Sequence, residues 1–106
     1  MGAGKDRPVN AACAKCGVAF GAVEKRAAGI SVFVMGDERI DSWYFCEACR
    51  AWTVEEYYDA FMGDSTARVR GPFPPEVGER AVATIRRCAT PMDKWCECEA
   101  HREYGM

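Results

Sequence analysis

Seven cysteines and the single histidine of this chain fall into three clusters whose spacing suits metal coordination. Cys13-Ala-Lys-Cys16 and Cys46-Glu-Ala-Cys49 are two C-x2-C knuckles, with 29 residues between Cys16 and Cys46. Cys88, Cys96, Cys98 and His101 form the third group, within fourteen residues. Thiolate is a soft ligand, and four of them can surround a Zn2+ ion that imposes no geometry of its own. The two knuckles supply one such set, leaving three cysteines and the histidine for a second. Two Zn2+ ions per chain are therefore expected. Two competitors remain for the second group: buried cysteines beside a surface histidine, and a Cu(I) transfer site built on the C-x-C step. Asp93, Glu97 and Glu99 nearby read as a solvated acidic face.

Catalytic chemistry finds less support. A catalytic zinc keeps an open coordination position beside an acid or base, and no second histidine is available. Gly2-Ala-Gly4-Lys5 lacks the spacing and the preceding strand of a phosphate-binding loop. A cysteine nucleophile needs a basic partner, and His101 is better used as a ligand. The chain is not expected to be an enzyme on its own.

The elements that would position these ligands follow from the pattern between them. Ile30–Met35 and Ile40–Phe45 are rich in β-branched and aromatic residues and flank a polar loop, Gly36–Arg39, which reads as a β-hairpin. Its second strand runs into Cys46 and delivers the second knuckle opposite the first, while Gly17 suits the turn after Cys16. Thr53-Val-Glu-Glu56 has the form of a capping box, so a helix is expected over 54–62, ending at Gly63. Trp52, Tyr57 and Phe61 would pack on the hairpin, with the alternative that part of this aromatic stripe, Tyr58 above all, is an exposed patch that docks a partner. Residues 64–75, with three prolines and a glycine, read as an irregular connector. A second helix fits Pro75 to about Cys88, with Val77, Ala81, Ile85 and Cys88 on one face. Residues 1–12 read as a flexible lead-in. The expected fold is α+β: a small ribbon half over 1–63, the connector over 64–75, and a helix with a metal-bound tail over 76–106, in one compact domain.

The two knuckles and the hairpin, Cys13 to Cys49, resemble the zinc-ribbon superfamily. The resemblance covers about a third of the chain and implies a metal site rather than a particular activity, since ribbons occur in transcription and translation factors and in small enzyme subunits. The Cys88–His101 half matches no family pattern. A rubredoxin-like iron site at Cys13, Cys16, Cys46 and Cys49 is the competitor. Rubredoxins usually carry C-P-x-C-G at the second knuckle, where this chain has Cys46-Glu-Ala-Cys49-Arg50.

Charge and length bound the remaining classes. At 106 residues the chain buries a modest core, and metal sites are one kind of staple for such scaffolds. The formal charge is −2; two Zn2+ on seven thiolates would take it to about −5. Residues 1–50 hold seven Lys/Arg against six Asp/Glu, and residues 51–106 seven against ten. That is a poor footprint for nucleic acid, and the basic pairs Lys25/Arg26, Arg68/Arg70 and Arg86/Arg87 are scattered. No run of 18 apolar residues appears, and MGAGKDRPVN is not a secretory signal, so a reducing cytoplasm is the expected compartment. Twelve aromatic side chains and no catalytic set favour an accessory subunit of a larger, hetero-oligomeric protein assembly. A nucleic-acid-binding ribbon and an iron electron carrier or metal-handling protein are the alternatives.

Overall fold

A computed structural model describes residues 11–59, 63 and 65–105 of the chain. Four antiparallel strands form one sheet in sequence order: β1 (Ala28–Val34), β2 (Asp37–Cys46), β3 (Ala51–Asp59) and β4 (Thr66–Phe73). Two helices follow, α1 (Pro75–Arg86) and α2 (Glu99–Gly105), and a 3-10 turn at Val23–Lys25 precedes the sheet. The architecture is a small α+β domain.

The hairpin forms where the β-branched runs place it, with a tighter turn than the polar loop suggested. Val34 pairs with Asp37, so Met35 and Gly36 alone make the turn, with φ of 50° and 92°. Two consecutive positive φ values are the signature of a turn whose twist matches that of its strands. Asp37, Glu38 and Arg39 consequently belong to β2.

The helix expected over 54–62 is instead strand β3, and its last residues, 60–62, lie outside the described residues. The second knuckle decides this. Residues 47–50 turn tightly, Arg50 takes a left-handed φ of 51°, and Ala51 re-enters the sheet opposite Cys46. From there Trp52, Thr53, Val54, Tyr57 and Tyr58 suit a pleated surface, and nine consecutive residue pairs zip β3 to β2. Thr53 caps no helix; its hydroxyl accepts the Ala14 N–H at 3.0 Å and ties the first knuckle to the sheet. The aromatic stripe is split between the two faces of the strand, leaving Tyr57 and Tyr58 half-buried.

Much of the expected connector is likewise a strand. β4 occupies the sheet edge, where Pro72 has no ladder neighbour on its outer side to disappoint. A register shift between Trp52 and Val54 absorbs the irregularity around Gly71 and Pro72. Glu56 fastens the edge by accepting Arg68 Nε at 2.9 Å and an Arg70 Nη at 2.8 Å.

Helix α1 begins at Pro75 as expected, with proline in its first turn, and lies across the sheet from β1 to β3. Its buried face is Gly78, Val82 and Ile85 rather than a stripe starting at Val77, which is exposed. Gly78 is the contact point: a Cβ there would collide with the Trp52 indole. The core then consists of Ile30, Val32, Trp43, Trp52, Val54, Val82 and Ile85, with Phe45, Phe73 and Tyr104 against it. The other sheet face receives residues 11–27: Phe20 stacks on Tyr44 at 4.9 Å, and an Arg26 Nη donates to the Ser42 hydroxyl at 3.0 Å. Ala11 is fully buried, so the lead-in ends before it; residues 1–10 lie outside the described residues.

Two outcomes test this packing. Gly78→Ala should lower the unfolding free energy by about 1–3 kcal/mol through overpacking, more than offsetting a helix-propensity gain of about 1 kcal/mol; a denaturant titration showing a stabilised variant would contradict the Gly78–Trp52 contact. Glu56 is buried, which alone would raise its pKa, but the hydrogen bonds of Arg70 and Arg68 outweigh that and hold it low. A depressed carboxylate contributes stability above its unfolded value of about 4.3 and loses it as pH falls through the folded one. Amide exchange in β4 should therefore be slower than in Glu56→Gln at pH 7, with the difference shrinking as pH falls below the unfolded value and lost once pH has passed the depressed folded one.

Candidate metal centres

The first centre is assembled from two hairpin turns. Ala12 bridges to Ala19, Cys13 N–H donates to Val18 O at 2.8 Å, and Gly17 N–H to Cys13 O at 2.9 Å. Gly17 closes this knuckle at φ 83°, as Arg50 closes the other at φ 51°. Both knuckles thus end on a left-handed residue, which bends the backbone around its own sulfurs. The four Sγ atoms of Cys13, Cys16, Cys46 and Cys49 lie within 4.8 Å of one another, and the Cys16–Cys46 pair is 3.9 Å apart. A tetrahedron with metal–sulfur bonds of about 2.3 Å has edges of about 3.8 Å.

Electrostatics within this set show why an ion fits. The backbone N–H groups of Cys16 and Lys15, each 3.4 Å from Cys13 Sγ, bring the Cys13 thiol down to about 6 against the effect of burial, with the Cys16 N–H contributing most. Cys49 is pushed the other way, up to about 12, first by the Cys16 sulfur, then by burial and the sulfurs of Cys13 and Cys46. Once one sulfur ionises, its neighbours resist. A divalent cation at the middle removes that resistance, and binding would release protons.

The second centre is built by the C-terminal segment. Cys88 follows α1, its N–H bonded to Ile85 O at 3.0 Å, and is buried. Cys96 and Cys98 come from a loop of turns, and the three sulfurs lie within 4.8 Å of one another, with Cys88 and Cys96 3.7 Å apart. Cys98 precedes α2, where its Sγ accepts the His101 N–H at 3.4 Å, an N-cap made with sulfur. His101 therefore sits one turn into the helix with its ring turned inward. Its Nδ1 is 3.4 Å from Cys88 Sγ, and its Nε2 is 2.7 Å from the carbonyl oxygen of Ser31. A carbonyl can only accept, so Nε2 carries the proton and Nδ1 is left as an acceptor facing the sulfurs. Metal-bound histidines are commonly oriented in this way by a backbone carbonyl on the other nitrogen. Burial, followed by the sulfurs of Cys98 and Cys96, pushes Cys88 up to about 11 against an opposing Thr90 N–H. Cys96 is brought down to about 7, first by the Thr90 side chain and then by the Cys98 N–H.

All eight sequence-predicted ligands are thus gathered into two groups: Cys13, Cys16, Cys46 and Cys49 in one, and Cys88, Cys96 and Cys98 with His101 beside them in the other. Both groups could hold a metal ion. All seven cysteines are free thiols. Asp93, Glu97 and Glu99 are exposed. Sequence reasoning missed the supports. Ser31 fixes the His101 tautomer with a main-chain atom, which leaves no side-chain signature. Thr90 acts on Cys96, and Tyr104 donates to Asp41 Oδ2 at 2.6 Å while accepting the Trp43 indole N–H at 2.9 Å, so α2 is anchored to the sheet at both ends.

No protein-family model, curated protein or solved structure matches the chain. Its resemblance to zinc ribbons therefore stands on the knuckle geometry alone. No helix is long and apolar enough to cross a membrane among the described residues.

The two centres predict different responses to ligand removal. Cys46→Ser should lose one equivalent of metal and the near-ultraviolet signal of the sheet, because metal binding free energy is largely folding free energy. Cys98→Ser should lose one equivalent, fray α2 and the β1 edge it covers, and leave the rest of the sheet folded. Elemental analysis with circular dichroism distinguishes these, and one metal equivalent in the wild type would eliminate the second centre.

Proposed function

We propose that the chain is a small zinc-binding accessory module of a larger protein assembly, with both zinc ions structural. The observation that carries this reading is the place of the two ligand groups in the fold. Each offers four protein ligands at a joint between segments: one clamps residues 13–16 to the β2–β3 turn, the other clamps the C-terminal segment to the end of α1 and the edge of β1. Four protein ligands leave no coordination position for water or substrate, which is the pattern of a structural rather than a catalytic zinc. Zinc is preferred to iron because both N–H···S bonds described at the first centre end on Cys13, while the second knuckle has Arg50 where rubredoxins have glycine.

A protein partner is preferred to nucleic acid because the basic pairs are scattered along the chain and each of their arginines spends part of its hydrogen-bonding capacity within the protein. Arg68 and Arg70 hold Glu56, Arg26 holds Ser42, Arg86 donates to Ala27 O, and Arg87 pairs with Glu103. The docking face is not the aromatic helix suggested by the sequence. It lies at the hairpin tip and the second centre, where Phe33 and Trp95 pack ring on ring at 4.7 Å, 46% and 62% exposed, beside Met35, 95% exposed.

Purified from its native cell, the chain should carry two zinc ions and a stoichiometric protein partner. The double variant Phe33→Ala/Trp95→Ala should keep both zincs and release the partner, since interface aromatics often contribute about 2 kcal/mol or more each. Stoichiometric iron would replace this reading with electron transfer. Salt-sensitive binding of DNA or RNA well below the roughly 1–100 μM range of nonspecific binding would favour the nucleic-acid alternative.

A further inference from the structure

Away from both metal centres, the helix-facing side of the sheet carries a hollow of about 340 Å3 between β4 and the C-terminal end of α2. Its floor is two carboxylates, Asp41 and Glu56, which are directly paired across β2 and β3 and only 3% and 2% exposed. Arg39 grips Asp41 with two contacts, 2.9 and 3.0 Å, and Arg70 reaches Glu56 at 2.8 Å. Trp43 and Phe73, with ring centroids 5.6 Å apart, form an apolar wall.

Ion pairs are not the only way to fill such a face. Apolar residues of similar volume often replace buried ion pairs without loss of stability, and the same sheet face is apolar one row away, at Trp43 and Val54. The charged groups also keep unused capacity. Each carboxylate oxygen can accept two hydrogen bonds. Glu56 receives one on each oxygen, and Asp41 Oδ1 receives only Arg39 Nε. One guanidinium nitrogen of Arg39 and two of Arg70 are likewise left over from these contacts. The four charges lining the hollow sum to zero, so a simple anion meets the carboxylates and a simple cation meets the arginines. A molecule carrying both charges satisfies both pairs.

We propose that this hollow binds a small zwitterion, a free α-amino acid with an apolar side chain. Its ammonium group donates to Glu56 and Asp41, its carboxylate accepts from Arg70 and Arg39, and its side chain lies on Trp43 and Phe73. The Tyr104 hydroxyl, already bonded to Asp41 Oδ2, completes the floor and fixes the carboxylate that receives the ammonium. The site is independent of the metal and partner readings.

The test uses the full zinc-loaded chain, with the Trp43 indole N–H followed by NMR during titration with L-leucine and L-phenylalanine. Two truncated probes, isopentylamine and 4-methylpentanoate, each retain one charge of leucine. At least one amino acid should bind with a dissociation constant below about 1 mM, and each truncated probe at least about tenfold more weakly, since each loses a charge-assisted hydrogen-bonding group. Arg70→Gln, at a half-exposed position, should weaken amino-acid binding about tenfold with zinc content unchanged and the chain still folded at the temperature of the titration, although the lost Glu56 contact lowers its melting temperature. No shift with either amino acid at about 10 mM would overturn the proposal. So would equal binding of 4-methylpentanoate or inorganic phosphate, which would make the hollow an anion site only.

Discussion

Four sulfurs held within 4.8 Å of one another cannot all be thiolates unless a cation sits among them. That mutual repulsion is the constraint on which the rest of the fold depends. Within this one cluster the Cys13 thiol is held down to about 6, chiefly by the Cys16 N–H, and the Cys49 thiol is pushed up to about 12, first by the Cys16 sulfur and then by burial. Of the two left-handed residues that close the knuckle turns, Gly17 takes its conformation freely and Arg50 does so at a cost. An ion held by the four sulfurs would offset both, and would fasten residues 11–20 to the β2–β3 turn across a gap that a small apolar core would close weakly.

The clusters themselves were legible in the sequence because ligand type and spacing survive any error about the intervening structure. Cys13, Cys16, Cys46 and Cys49 come together whether residue 54 lies on a helix or a strand. The hairpin was legible for a similar reason, since β-branched runs on either side of a glycine have few other solutions. Helix α1 was legible through Pro75 and its periodic apolar residues; Gly78, a poor helix former, stands where the helix approaches Trp52.

Strands β3 and β4 were misread for two separate reasons. The Thr53–Glu56 spacing of a capping box is also an odd offset along a strand, and it places Thr53 and Glu56 on opposite faces. Thr53 there serves Ala14, and Glu56 serves Arg68 and Arg70. Local pattern could not separate the two outcomes; the tight turn after Cys49 did, by returning the chain alongside β2 before a helix could start. In β4 Pro72 has the look of a breaker, yet an edge strand tolerates it because its outer side has no partner to lose. Both errors share a cause, which is that tertiary pairing overrode a local signal.

The same sheet explains why the C-terminal cluster needs no ribbon of its own. Strand β1 is the other edge, and an unpaired edge is a liability that proteins cover. The tail covers it at Ser31, whose N–H donates to Pro91 O at 2.8 Å and whose carbonyl accepts the His101 Nε2–H. The carbonyl that protects the edge thereby sets the tautomer that turns His101 Nδ1 toward Cys88. Edge protection and ligand orientation are therefore one interaction. Loss of an ion at the second centre would be felt in β1 as well as in α2, whereas the first centre acts from the opposite end of the hairpin, at the β2–β3 turn. The two groups thus brace the β1–β2 hairpin from different directions, with Trp43 and Trp52 in the core between them.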